Sequence, residues 1–183
     1  MGELTTLLQA AGDGDPTAIG NLFSLLYPEL RALAHQRIRR MDNKTVLDTT
    51  SLVHESYLKL LKGGSLSVEN RAHFLAYAAR VMRSVVVDFV RQERAQQRGG
   101  ANMHVTLNSN VMDSVESPAD EIIRLHEFLD ELKSVDARLV SVVEMRYFAA
   151  LENTEIAECL GVTDRTVRRD LEKARLLLID EVG

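Results

Sequence analysis

The chain of 183 residues carries 22 lysines and arginines against 27 acidic residues, a formal net charge of −5, and 45% of its residues are hydrophobic. These values are typical of one globular domain or two small ones and argue against a disordered chain. No stretch approaches the about 18 consecutive apolar residues of a membrane helix, and the first residues lack a signal-peptide pattern. The single cysteine, Cys159, excludes an intramolecular disulfide and a cysteine-based zinc cluster. We therefore expect a cytoplasmic protein with no membrane segment.

Charge is distributed unevenly along the chain. Residues 1–98 carry 13 basic and 10 acidic side chains, a net of +3, whereas residues 99–183 carry 9 and 17, a net of −8. Frequent Leu, Ala, Arg and Glu, an aromatic content of 5% and only three prolines favour helix and give few hairpin signals. We therefore predict an all-α fold of two small helical domains, residues 1–98 and 119–183, joined by a flexible linker over 99–118.

The first 40 residues contain two stretches with helical hydrophobic spacing. A short helix over Leu4–Ala11 is followed by Asp15-Pro16, a pair typical of an N-cap and the first helical position. An apolar face then runs to Ile38. Pro28 falls inside this face, so we expect a kink or a break beside it.

Two further helices follow in the first half. Asp48 is the expected N-cap of a helix that ends at Gly63-Gly64, and Asn70 is the expected N-cap of a longer helix over about Arg71 to Gln97. The long helix is rich in arginine, with Arg80, Arg83, Arg91, Arg94 and Arg98. In the second half we expect helices at roughly 119–134, 136–148, 153–160 and 164–180.

The segment from Thr154 to Val167 has the spacing of a helix-turn-helix motif. Ala157 is small where the two helices cross, and Gly161, four positions later, tolerates a positive φ in the tight turn. Val167 is apolar and docks the second helix onto the first. Thr163 is a good N-cap for that second helix.

The second helix of this motif exposes side chains that suit DNA, namely Arg165, Thr166, Arg168, Arg169 and Lys173. Arginine pairs bidentately with guanine in the major groove, and both arginine and lysine contact phosphate. The alternative is that these side chains only solvate a surface helix, supported by pairs with Asp170 and Glu172. The motif by itself indicates DNA binding and does not say for what purpose.

Three segments in this order resemble the extracytoplasmic-function (ECF) type of bacterial sigma-70 factor. Leu52–Leu60 is similar to region 2.2 of that family, Phe74–Arg91 to regions 2.3–2.4, and Val135–Phe148 with the following helix-turn-helix to region 4. The resemblance covers nearly the whole chain apart from the linker. The residues around Thr50 also resemble a branch of these factors that is associated with Ser/Thr protein kinases.

The resemblance implies a non-enzymatic subunit that directs core RNA polymerase to specific promoters. The first domain would bind a coiled coil of the largest polymerase subunit and open the −10 promoter element, with helix 71–98 as a basic track for phosphates. The second domain would read the −35 element through the helix described above. The −10 contacts implied are Asn70, Arg71, Tyr77, Arg80, Arg83 and Ser84. The polymerase contacts implied are Asp48, Thr49, Thr50, Ser51, His54 and Glu55.

The start of the segment similar to region 2.2 departs from the family pattern. Many members carry Asp-x-Glu-Asp there, facing basic polymerase residues, whereas this chain has Asp48 followed by Thr49, Thr50 and Ser51. We therefore expect weak binding of core polymerase by the unmodified chain. Phosphorylation of Thr50 by a Ser/Thr protein kinase, with Thr49 and Ser51 as alternates, would restore negative charge at a helix N-terminus. The alternative is that the three hydroxyls only suit a helix start.

The sequence has no phosphate-binding Gly-rich loop, no metal-ligand spacing and no paired nucleophile and base. We therefore expect no cofactor, no metal and no catalysis. Two other interpretations stay open: a helix-turn-helix regulator with a sensory or dimerising first half, and an adaptor that binds through its acidic segment 113–136. That segment carries eight acids and two bases, and it would either keep the free protein off DNA or contact basic polymerase surfaces. The basic helix 71–98 favours the sigma-factor interpretation, because neither alternative requires it.

Overall fold

The computed structural model describes residues 2–39, 47–63, 66, 68–99 and 118–182. Within these ranges all regular structure is helical, which confirms the predicted all-α class. The predicted linker over 99–118 lies outside the described residues except at its two ends. Its flexibility and the domain boundaries therefore stay predictions.

Five α-helices form the first half of the described chain: α1 (Glu3–Gly12), α2 (Pro16–Leu25), α3 (Tyr27–Ile38), α4 (Thr49–Lys62) and α5 (Arg71–Gly99). The predicted N-caps Asp15, Asp48 and Asn70 each accept a hydrogen bond from a backbone N–H two or three residues further on, at 2.9 Å. The chain breaks at Leu26 before Pro28, as expected from the fixed φ of proline. Local capping signals thus set where these helices begin.

The second half contains α6 (Pro118–Val135), α7 (Ala137–Val143), a π-helical turn (Glu144–Phe148), α8 (Asn153–Leu160) and α9 (Asp164–Val182). We predicted one continuous helix over 136–148, and this is wrong in its last part. The α-helical bonding of α7 ends at Val143, and Ala149 N donates to the carbonyl of Glu144, five residues back, at 3.0 Å. Hydrophobic spacing cannot distinguish this wider bonding from an α-helix over so short a stretch.

One hydrophobic core runs through both halves of the described chain. Phe74 is fully buried among Leu22, Leu30 and Leu60 in the first half, and Ile156 of α8 belongs to the same cluster. A smaller cluster within the second half contains Leu129, Leu139, Val140, Val143 and Ala174. The seam between the halves forms where α5 packs against α6, the π turn and α8. The long helix α5 is therefore shared by both halves.

Candidate nucleic-acid interface

Helices α8 and α9 have the geometry of the predicted helix-turn-helix. Gly161 follows α8 with a φ of 62°, in the left-handed region that glycine tolerates. Ala157 and Val167 are buried where the two helices meet, and Val162 N donates to the carbonyl of Ala157 at 3.0 Å across the turn. These interactions fix the angle at which α9 leaves the turn.

Three arginines form an exposed basic surface on α9. Arg165 is exposed, and the side chains of Arg168 and Arg169 are 73% and 74% exposed. Arg168 Nε lies 2.8 Å from Asp164 Oδ2 one turn earlier, in an exposed pair that contributes little stability. All three guanidinium groups are accessible to a nucleic acid.

The other two side chains predicted for this surface have structural partners. Thr166 N donates to Thr163 Oγ1 at 3.2 Å, and the two hydroxyl oxygens lie 3.0 Å apart, so Thr166 belongs to the N-cap of α9. Lys173 Nζ donates to Asp136 Oδ2 at 2.9 Å, and Asp136 also caps α7 by accepting from Leu139 N. The Lys173 hydrogen bond is the main cause that lowers the pKa of Asp136. Both side chains fix the position of α9.

The arginines of α5 lie in a stripe that faces the second half of the chain. Four of them pair with carboxylates of α6 or the π turn: Arg80 and Arg83 with Glu144, Arg91 with Glu127, and Arg94 with Asp120. The sequence predicted a basic track for phosphates, and in the structure these four arginines are paired with acids. These ion pairs could not be predicted from the sequence, because the paired residues are 26 to 64 positions apart in the chain.

The centre of this stripe is buried. Arg83 Nη2 donates to one carboxylate oxygen of Glu144 at 2.8 Å, and Arg80 Nε donates to the other at 2.8 Å. The side chains of Arg83 and Glu144 are only 8% and 3% exposed. Arg83 Nη1 lies 2.9 Å from His126 Nδ1, so this nitrogen is the acceptor of a neutral imidazole. Burial, followed by the positive charge of Arg83, lowers the pKa of His126.

The first turn of α5 lies against α8. Asn70 Oδ1, which caps α5, is 3.6 Å from Cys159 Sγ, and His73 Nε2 is 2.9 Å from the carbonyl oxygen of Cys159. Arg71 lies 3.8 Å from a carboxylate oxygen of Glu155. Burial is the main cause that raises the pKa of the Cys159 thiol. Asn70 and Arg71 are thus part of the seam between the halves.

Tyr77 and Ser84 lie on a neighbouring face of α5, toward α4. Tyr77 is half-buried, and Ser84 Oγ accepts a hydrogen bond from Lys59 Nζ at 2.7 Å. Lys59 also pairs with Asp88 at 2.7 Å. The six candidate −10 residues are therefore divided between two faces of one helix, and their DNA role stays a prediction.

The start of α4 presents the predicted polymerase contacts. Asp48 Oδ1 accepts from Ser51 N at 2.9 Å, and this hydrogen bond is the largest cause that lowers the pKa of Asp48. Ser51 Oγ donates to the second oxygen of Asp48 at 3.0 Å, and Thr49 Oγ1 lies 3.5 Å from His35 Nδ1. Thr50 is exposed. Of the three candidate hydroxyls, that of Thr50 is the most accessible.

An open groove of about 640 Å³ continues from this end of α4 along α5. Its lining combines apolar Leu58, Val85 and Phe89 with charged side chains that include Glu55 and Lys59. Leu58 is 48% exposed, and His54 and Glu55 are exposed on the same helix. An exposed groove in which apolar and charged side chains alternate is compatible with a protein-binding surface.

Among the residues that the structure describes, no group of three or more His, Cys, Asp or Glu side chains is able to hold a metal ion. No helix in the same part of the chain has both the length and the apolar character needed to cross a membrane.

Comparison with known proteins identifies the family. The model of the family described as ECF sigma factor matches residues 1–182. No curated protein and no solved structure matches the chain. The family match spans both basic helices and favours the sigma-factor interpretation over the regulator and the adaptor. The chain therefore belongs to the ECF sigma factors, non-enzymatic proteins that bind core RNA polymerase and direct it to promoter DNA.

Proposed function

We propose that this sigma factor reads the −35 promoter element with α9 and engages the −10 element through α5. Residues 1–98 then form the polymerase-binding and −10 domain, and residues 119–183 form the −35 domain. The role of α9 is supported by three exposed arginines on a helix that a helix-turn-helix presents outward. Thr166 and Lys173 act in positioning this helix.

The start of α4 and its adjoining groove form the contact with core polymerase in this proposal. A coiled coil of the largest polymerase subunit offers an elongated surface with apolar and charged side chains. The groove beside Leu58 suits the apolar part, and the carboxylates of Asp48 and Glu55 suit basic side chains.

Phosphorylation of Thr50 by a Ser/Thr protein kinase strengthens this contact. The observation that carries the proposal is the different surroundings of the three hydroxyls. Ser51 is bonded to Asp48 and Thr49 lies beside His35, whereas Thr50 is exposed in the first turn of α4. A phosphate there adds about −1.5 to −2 charges at the positive end of a helix dipole. It replaces the acidic charge that the family pattern has and this chain lacks.

Binding to core polymerase tests this switch, with four forms of the chain: unmodified, Thr50→Asp, Thr50→Ala and phosphorylated at Thr50. One restored close charge pair is worth about 1.5 kcal/mol, or roughly tenfold in affinity. We expect Thr50→Asp to bind about tenfold more tightly than the unmodified chain and the phosphorylated form to bind more tightly still. Thr50→Ala should bind like the unmodified chain. Promoter-dependent transcription should follow the same order.

The matched control is Thr17→Asp. Thr17 is exposed and lies two residues after the N-cap Asp15, as Thr50 does after Asp48, but it is on α2. The control adds the same charge at the same helical position without changing α4. Equal affinities for all forms, or an equal gain from Thr17→Asp, would contradict a switch at Thr50.

A further inference from the structure

The arginine stripe of α5 contacts the second half along most of its length. Contacts with the second half begin at Asn70, where Cys159 of α8 lies 3.6 Å away, and continue to Arg94, which pairs with Asp120 of α6. At the centre, the Arg83 side chain is 8% exposed and its guanidinium is bonded to Glu144. A DNA phosphate cannot contact this guanidinium while the second half stays in place.

A further contact holds the π turn to the first half. The guanidinium of Arg37 on α3 lies 4.4 Å above the ring centroid of Phe148, and its Nη2 donates to the carbonyl of Ala79 at 3.2 Å. Arg83 approaches the same ring at 5.8 Å. The π turn therefore contributes both the carboxylate of Glu144 and an aromatic face to the seam.

The two basic helices differ in access. The arginines of α9 are exposed, whereas four arginines of α5 are paired with acids from α6 and the π turn. These carboxylates occupy the positions at which phosphate oxygens would accept hydrogen bonds from the same guanidinium groups.

We propose that the second half of the chain is an autoinhibitory cover for α5, in which these carboxylates take the place of promoter phosphates. Initiation then requires the seam to open. The inference rests on the proposed role of α5 at the −10 element. It assigns the acidic segment 113–136 the task of keeping the free protein off DNA, through Asp120, Glu127 and Asp130, and adds Glu144 to it.

The chemistry of the seam allows it to open. A buried ion pair is a weak net source of stability, because its attraction is largely offset by the loss of hydration of both charges. Separating the halves returns both Arg83 and Glu144 to water, so neither charge is left buried and unpaired. The outer pairs, such as Arg91 with Glu127, are about half exposed and hold little free energy. Opening therefore costs mainly the apolar contacts that the two halves share, and binding of polymerase and of DNA phosphates to the uncovered surfaces offsets that cost.

A disulfide between the halves tests the cover directly. Cys159 is the chain's single cysteine, and Asn70→Cys places a second thiol beside it. If the free chain is closed, mild oxidation should give an intramolecular disulfide at least tenfold faster than in a control variant. The control is Thr17→Cys, an exposed position at the start of α2, a helix that packs against α1, α3 and α4.

The same variant tests whether closure inhibits initiation. After removal of the oxidant, promoter-dependent transcription with core polymerase should be at least tenfold lower for the disulfide form than for the reduced form of the same variant, so any effect of replacing Asn70, a proposed −10 contact, is common to both forms. Disulfide formation no faster than in Thr17→Cys would overturn the closed arrangement. Equal transcription by the oxidised and reduced forms would overturn autoinhibition. Failure of the reduced and wild-type chains to initiate would instead contradict the proposed function, and the rate of disulfide formation would still test closure.

A second variant removes two of the covering carboxylates without leaving a buried charge unpaired. Glu127→Gln with Asp130→Asn removes two exposed carboxylates that lie near Arg91 and Arg83. We expect the free double variant to bind a single-stranded oligonucleotide several-fold more tightly than the wild type. Glu121→Gln, an exposed position on the same helix, is the control and should have no effect. Equal affinity of the double variant and the wild type would contradict the cover.

Discussion

Helices α5 and α9 carry the same kind of basic side chain in opposite environments. On α9, Arg168 and Arg169 are exposed and have at most acidic neighbours on their own helix. On α5, Arg83 is buried against a carboxylate 61 residues away. The difference shows that a basic helix is not by itself an available DNA-binding surface. Whether the basic side chains of a helix are available to DNA depends on whether the fold places acidic side chains against them.

The largest expected effect concerns the buried pair at the seam. Glu144→Ala removes the buried carboxylate bonded to Arg83 and leaves this guanidinium, 8% exposed, with the exposed Asp130 at 3.7 Å as its nearest carboxylate. We expect this change to lower the free energy of unfolding by about 3 to 5 kcal/mol. Arg168→Ala also removes one charge, but from the exposed surface of α9, and should change the free energy of unfolding by less than about 0.5 kcal/mol. Urea unfolding measures both. A loss below about 1 kcal/mol for Glu144→Ala would mean that the pair is solvated in solution.

Substitutions on the exposed surface of α9 should weaken DNA binding and leave the stability of the fold unchanged. Arg165→Ala should leave stability unchanged and weaken binding to promoter duplex by about 1 to 3 kcal/mol if the guanidinium reads a base. A competition assay with mismatched duplexes distinguishes base reading from phosphate contact, because a phosphate contact weakens all sequences alike. Arg175→Ala, also exposed on α9, is the control. Equal effects of the two variants would contradict the assignment of Arg165.

The turn between α8 and α9 provides a further test, because its geometry depends on the backbone conformation of Gly161. Gly161 has a φ of 62° and open space around its α-carbon, so Gly161→Ala tests backbone strain alone. We expect a loss of about 1 to 2 kcal/mol in stability. Gly12→Ala is the control, because its new methyl group meets only the carbonyl of Leu66 at an ordinary 3.5 Å. Calorimetry of both variants measures the difference, and an unchanged melting temperature for Gly161→Ala would show that the turn adapts.

The smallest expected effect is a pH dependence of the fold's stability that arises from His126 at the seam. The pKa of His126 is lowered from its ordinary value of 6.5, by burial and then by Arg83, with Asp130 and Asp88 acting in the opposite direction and Arg91 in the same one. The unfolded chain therefore takes up this proton more readily than the folded chain. Stability should fall as the pH drops below about 6.5 and should continue to fall until the lowered folded pKa is reached.

Replacing the imidazole tests this dependence. His126→Asn should flatten the stability profile between pH 7 and pH 5.5, measured by urea unfolding. The control is His54→Asn, since His54 is exposed on α4. Identical slopes in the wild type and in His126→Asn would show that protonation of His126 does not affect the seam.

The helices could be predicted from the sequence because their signals are local. Asp15, Asp48, Asn70 and Thr163 cap helices within three residues of themselves, and Pro28 interrupts an apolar face at its own position. The helix-turn-helix likewise depends on spacing within one short segment. Propensity and periodicity were therefore sufficient for these elements.

The seam could not be predicted, because its partners are distant in the chain. The charge pattern placed basic residues on α5 and acids in 113–136, but it did not show that they meet. Nor did it single out Glu144, which lies outside that segment and within a π turn that we took for α-helix. The pairing of Lys173 with Asp136, 37 residues away, could not be read from helical spacing, whereas the contact of Thr166 with Thr163 is local. The DNA contacts of Thr166 and Lys173 stay predictions.

The salt dependence of DNA binding by the free chain tests the central difference between the two helices most directly. Each phosphate contact on a single strand adds about −0.7 to the slope of log affinity against log salt. We predict that Glu144→Gln makes this slope steeper on a forked promoter fragment by at least two such contacts, because opening the seam releases Arg80 and Arg83. Glu121→Gln should keep the wild-type slope. A Glu144→Gln slope equal to that of the wild type would show that this carboxylate does not keep DNA phosphates away from α5 and would contradict the account.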